Sequence, residues 1–159
     1  MYSQFSFQNS LRQTLDASDR LEGGASDLFE SAFHDGSASR LWRRPVKTLL
    51  HLTDSLRGFT VTNRYALGVR SIALANIVGS VDKPSDFDQR FRPLKRHSEP
   101  RWLRVATAMM RGATLPPVEL IQVGGGYYVQ DGHHRISAAK ALGYAYIDAV
   151  VTVWKVEPA

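Results

Sequence analysis

Apolar and polar positions along this 159-residue chain change rhythm near residue 65. Before that point the pattern is helical. A weakly amphipathic stretch runs from about Ser10 to Leu21, Gly23-Gly24 predicts a break, and Leu28, Phe29 and Phe33 suggest a short apolar turn. After Pro45, a residue suited to a first helical turn, Val46, Leu49, Leu50, Leu52 and Leu56 make one broad apolar stripe that Gly58 stops. His51 lies on the polar flank of that expected helix and reads as ordinary surface.

From residue 65 onward, strand and helix signals alternate, as in a layered α/β or α+β domain. Ser71 to Val78 reads as a buried strand. Gly79 to Arg96, with Pro84, Pro93 and many charges, reads as irregular. Ser98 can cap a helix with Pro100 in its first turn and an apolar stripe of Trp102, Val105, Ala106 and Met109, ending at Gly112. A strand from Val118 to Val123, a turn at Gly124 to Gly126 and a strand from Tyr127 to Gln130 form a hairpin. A helix from about His133 to Leu142, stopped by Gly143, and a strand from Ile147 to Trp154 complete the order. Residues 1–65 are therefore expected to be a helical extension, partly flexible, and residues 66–159 the folded domain.

The densest polar set lies between that hairpin and the helix after it, at Gln130-Asp131-Gly132-His133-His134-Arg135. A strand, a glycine turn and a helix start leave free backbone N–H groups at the positive end of the helix dipole, which favours an anion. Gly132 would let a phosphate approach the backbone, Arg135 could grip its oxygens in a fork, and either imidazole could donate a hydrogen bond or move a proton. Gly132, His133, His134 and Arg135 are thus the expected ligand-binding residues. Asp131, His133 and His134 are the candidates for acid-base work. Adjacent His133 and His134 point about 100° apart on a helix, a poor arrangement for sharing one metal ion, and no metal site is expected.

Composition narrows the chemistry. With no cysteine there is no disulfide framework, thiolate metal site or thiol nucleophile. No stretch reaches the roughly 18 apolar residues of a membrane span, and the first ten residues lack the basic and apolar regions of a secretory leader. A cytoplasmic protein without a membrane partner is expected. The net charge of +5 is unevenly placed. Residues 1–36 carry two basic and six acidic side chains, whereas residues 37–70 carry seven basic against one acidic and residues 83–111 eight against three. The basic stretches suit a phosphate-bearing partner: nucleotide, phosphorylated small molecule or DNA. On the helix after Ser98, Arg101, Arg104 and Arg111 fall at i, i+3 and i+10, which would align three guanidinium groups for nucleic acid.

Residues 116–151, with Asp-Gly-His-His-Arg at their centre, resemble the ParB/sulfiredoxin superfamily, and a fainter likeness reaches back to Arg70. The resemblance implies an α+β fold, a small mixed sheet packed with helices, here preceded by the helical extension. It also implies that Gly132 to Arg135 occupy the place of the ParB Gly-Glu-Arg-Arg signature, which holds the triphosphate of CTP. Sulfiredoxin has Gly-Cys-His-Arg there, so its nucleophilic cysteine falls on His133 and sulfinic acid reduction is excluded. The free-serine kinases of this fold, with Asp-Gly-His, a polar residue and Arg, are similar too, which implies ATP with Mg2+. Their base is a glutamate near the first strand. No Glu lies between Val69 and His97 here, which leaves Asp82, Asp86 and Asp88 as candidates. Partition proteins continue into a helix-turn-helix reader and a dimerisation domain, so a complete partition protein is not expected. Three functions remain: a ParB-like binder of nucleotide or phosphate, a nucleotide-dependent small-molecule kinase or phosphohydrolase, and a nucleic-acid-binding module.

Overall fold

A computed structural model describes the backbone of residues 3–41 and 45–159 and the side chains of residues 13–38 and 45–159. Arg43 and Arg44, and the side chain of Arg40, all counted above in the basic stretch 37–70, lie outside the described residues. The chain forms α1 (Ser3–Leu41), β1 (Leu50–His51), α2 (Leu52–Ser55), β2 (Phe59–Ala73), β3 (Ile77–Ser80), α3 (Glu99–Met110), β4 (Val118–Val123), β5 (Gly126–Asp131), α4 (His133–Ala141) and β6 (Tyr146–Pro158). Six strands make one mixed sheet in the order β1-β3-β5-β4-β6-β2. β1, β3 and β5 run parallel, β4 returns antiparallel to β5, β6 lies parallel to β4, and β2 pairs antiparallel with β6. The expected α+β architecture, a small mixed sheet packed with helices and preceded by an N-terminal helix, is observed.

The main core lies between the sheet and α4, where Val118, Leu120, Val129 and Val151 from the strands meet Ile136 and Ala139. A second cluster joins α1, α3 and α4 through Ala25, Phe29, Trp102, Ala106 and Ala138. Trp102 Nε1 donates to Ser137 Oγ at 2.8 Å, so the indole polar edge is satisfied inside this cluster. A third cluster includes Leu52 of α2 with Ile121 and Tyr128 from β4 and β5.

Where the periodicity was unambiguous, from α3 to β6, the elements stand as expected within a few residues. Elsewhere the structure differs from the pattern. The helix after Pro45 does not form: residues 45–49 are irregular, Leu50 and His51 pair with Gly79 and Ser80, and only Leu52–Ser55 make a helical turn. Leu49 belongs to the main core and Leu52 to the third cluster, whereas one helical stripe would have sent both to the same side. His51, read as plain surface, caps that turn, its Nδ1 accepting from Thr53 N at 3.1 Å.

Gly23-Gly24 do not break α1. Two mid-helix glycines cost about 1 kcal/mol each, but a Cβ at Gly24 would stand 3.2 Å from Met110 Cε, so the residue permits close approach to α3. Ser71 to Val78 is not one strand: it spans the end of β2, a 3-10 turn at Leu74–Asn76 and the start of β3. β2 itself begins at Phe59, so residue 65 falls inside a strand. Ser98 stands at the N-cap of α3, yet its hydroxyl donates to Lys95 O at 2.7 Å and caps nothing.

Candidate functional site

β3 and β5 run parallel, so the turn after Ser80 and the junction after Asp131 emerge at the same end of the sheet. Gly132 is the N-cap of α4 with φ 102°, a left-handed conformation that favours glycine. A Cβ there would come within 2.5 Å of Val118 Cγ1. The glycine is therefore accounted for by close packing of the α4 start on β4, a different reason from the ligand approach expected of it. No side chain caps α4.

His133 turns inward. Its ring is 4% exposed, stacks on Phe87 at 6.0 Å and 14°, and sets Nε2 2.7 Å from Ser80 Oγ. Ser80 Oγ also accepts from Lys83 N at 2.9 Å, and the exposed Asp82 carboxylate lies 3.8 Å from His133 Nε2. Burial pushes the His133 pKa down, against the opposing pull of Asp82. His134 meets the same Phe87 edge-on, at 5.7 Å and 77°. Its Nε2 is buried with no hydrogen-bond partner. Burial first, then the positive charge of Arg101, holds its pKa down to about 4, with His133 and Lys83 adding to the fall. At neutral pH both imidazoles are uncharged.

Arg135 takes the third direction. Its Nη1 donates to Pro116 O at 2.5 Å and Pro117 O at 2.9 Å, and its Nη2 to Asp131 Oδ2 at 2.6 Å. The structure thus joins Asp131 to Arg135 and leaves the guanidinium with fewer open donors than a free fork has. Of the three carboxylates expected as candidate bases, two are committed: Asp88 to Arg92 and Asp86 to Lys95. Asp82 alone reaches the Gly132 turn.

The arginine row is divided. Arg101 is exposed and acts on His134. Arg104 and Arg111 line a cavity of about 370 Å³ with Glu22, and Arg111 Nη2 meets Ser18 Oγ at 2.5 Å and Glu22 Oε1 at 3.7 Å. One of the three guanidinium groups is therefore already engaged by α1. Among the described residues no group of three or more His, Asp or Glu is placed to hold a metal ion, and no helix is long and apolar enough to cross a membrane. Sequence reasoning missed Ser80, Lys83 and Phe87 as parts of this site. Ser80 ends the four-residue β3, and Lys83 and Phe87 lie in the irregular segment after it, where no periodicity points to them.

No family model matches the chain, and no curated protein matches it. Among solved structures, it is similar to sulfiredoxin from Arabidopsis thaliana, with 20% identity, a TM-score of 0.41 and coverage of 55% of this chain and 86% of that one. The likeness is loose and brings no chemistry to these residues.

Proposed function

We propose that this protein binds a nucleotide or another phosphate-bearing ligand at the Gly132–Arg135 turn, as its resemblance to ParB-like domains implies. The observation that carries the reading is the unpartnered Nε2 of His134, buried at the start of an uncapped helix and within the field of Lys83 and Arg101. A buried polar atom without a partner costs about 1–3 kcal/mol. In the Nε2–H tautomer, a neutral His134 donates to a phosphate oxygen and recovers that cost. The first-turn amides of α4 and two cations supply the rest of an anion's needs. A nucleotide triphosphate such as CTP or ATP would bring Mg2+, and Asp82, more than half exposed, is the carboxylate beside the turn available to it, Asp131 being paired with Arg135.

A second reading, phosphoryl transfer, is favoured by Asp82, the one candidate base that stands beside the turn. Transfer needs a base at the acceptor as well as held phosphates. Calorimetric titration with CTP, ATP and inorganic phosphate, with and without Mg2+, tests the binding reading. Arg101→Gln should weaken affinity about tenfold, the loss of one charge-assisted contact, and leave the unliganded melting temperature unchanged. Unaltered affinity in both Arg101→Gln and His134→Ala would sink it. Turnover of either nucleotide that Asp82→Asn abolishes would decide for transfer.

A further inference from the structure

A second cavity, of about 480 Å³, lies away from the Gly132 turn and is walled by α1, the loop 89–92 and the far end of α4. Its size is that of a small-molecule site. Leu28 and Ala32 of α1, Phe91 of the loop and Ala141 of α4 make it partly apolar, while Arg90 and Lys140 bring positive charge.

The loop that presents Arg90 is built rather than slack. Asp88 is 5% exposed, and its carboxylate accepts from Arg90 N at 2.9 Å and Arg92 N at 2.8 Å, while Arg92 Nε and Nη2 both reach Oδ2 at 2.7 Å. Phe91 N donates to Asp88 O at 2.8 Å and Asp88 N to Arg92 O at 3.0 Å. These bonds hold Phe91 at φ 62°, a left-handed conformation uncommon for a bulky residue and one that collects at ligand-binding loops. Phe91 is 1% exposed and forms a shelf under Lys140, whose Nζ stands 4.7 Å from the ring centroid.

The charge balance of the cavity is uneven. Arg92 is neutralised by Asp88. Among the described residues Arg90 and Lys140 form no ion pair. The single carboxylate on the wall, Asp35, is largely exposed and lies 4.0 Å from His34 Nδ1. Burial lowers the Lys140 pKa, and the pull of Asp88, a carboxylate already paired with Arg92, opposes it only in part. A half-buried cation over an aromatic shelf, beside a second unpaired cation and an apolar wall, calls for a complementary anion with a hydrophobic part.

From this geometry we propose that the cavity binds a small organic anion, one carboxylate or phosphate group on an apolar body, its charge held by Lys140 and Arg90 and its body against Leu28, Ala32 and Phe91. The site is independent of the Gly132 turn. Octanoate and phenyl phosphate are suitable probes, followed through amide shifts in the NMR spectrum of the full chain, with inorganic phosphate as the body-free control. At least one organic probe should move the amides of Ser31, Gln89, Phe91 and Lys140, and inorganic phosphate should not. Octanoate alone would assign a carboxylate site and phenyl phosphate alone a phosphate site.

Arg90→Gln, an exposed change, and Lys140→Met, which keeps the stem on Phe91, should each weaken that binding about tenfold or more. Ala32→Phe should block it without altering charge. The proposal is overturned if neither organic probe reaches these amides, or if affinity survives both Arg90→Gln and Lys140→Met. Binding lost only in Ala32→Phe would equally overturn it, because an apolar cavity without anion preference would behave that way.

Discussion

Ser80 Oγ and His133 Nε2 lie 2.7 Å apart, and this one contact fastens the end of β3 to the first residue of α4. The hydroxyl is fully buried and also accepts from Lys83 N, so it serves two partners at once. Ser80→Ala would leave both without that oxygen. An expected cost of about 1–3 kcal/mol follows from the unsatisfied buried groups, read as a lower denaturant midpoint at unchanged slope. Phosphate affinity should fall with it, because the turn that carries Lys83 loses its tether. A wild-type midpoint would mean that packing alone positions the start of α4.

Stability should also fall in acid, with a sign set by His134. Its folded pKa of about 4 lies below the ordinary 6.5, so between those values the unfolded chain binds more protons than the folded one. Stability then rises with pH across that window, is fully present above 6.5, and is lost as pH falls towards about 4. His133, also depressed by burial, pushes in the same direction. His134→Gln cannot titrate there. Urea unfolding through the window should give a shallower pH dependence in that variant than in the wild type. Equal slopes would place the imidazole in water rather than against Phe87.

Much of residues 99–159 was legible because each element buries a regular face. Ile136 and Ala139 at helical spacing, and Val118 and Leu120 at strand spacing, are all core residues. The first half resisted because its burial is not periodic. β2 is exposed along nearly all of its length, so no inside–outside alternation marks Phe59 to Val69 as a strand. Leu49 and Leu52 look like neighbours on a helix and serve opposite sides of the sheet instead. At the site, glycine, tandem histidines and arginine were visible as a motif, but their division of labour was not. His133 goes to Ser80, His134 to Phe87 and Arg135 to the 116–117 carbonyls, and each partner is distant in sequence.

Gly132→Ala should be strongly destabilising for two separable reasons. The left-handed backbone costs a non-glycine residue about 1–3 kcal/mol, and the new methyl would overlap Val118, whose Cβ and Cγ1 stand 2.8 and 2.5 Å from it. Gly143, also at positive φ but with open space around its Cβ position, carries only the first term. Thermal or chemical unfolding of the two alanine variants should therefore rank Gly132→Ala well below Gly143→Ala. Similar losses would show that β4 yields to the methyl group.

α1, which sequence alone suggests is a partly flexible extension, packs on α3 through a buried aromatic contact. Phe29 is fully buried, 5.4 Å from Trp102 with the rings at 65°, and Ala25 one turn earlier is buried beside it. Arg96 adds an ion pair with Glu30, and its guanidinium lies 4.3 Å from the centroid of the Phe33 ring. An exposed pair contributes little by comparison with the burial of an aromatic ring. Phe29→Ala should then cost about 3–5 kcal/mol, the usual loss for a buried aromatic, whereas Glu30→Gln should cost a small fraction of that. Because Trp102 is the partner, its fluorescence should shift in Phe29→Ala, and hydrogen exchange should quicken along α1 while the sheet stays protected. If Phe29→Ala unfolds at the wild-type midpoint, α1 does not hold its place through this contact, and the cavity it walls would lose that side.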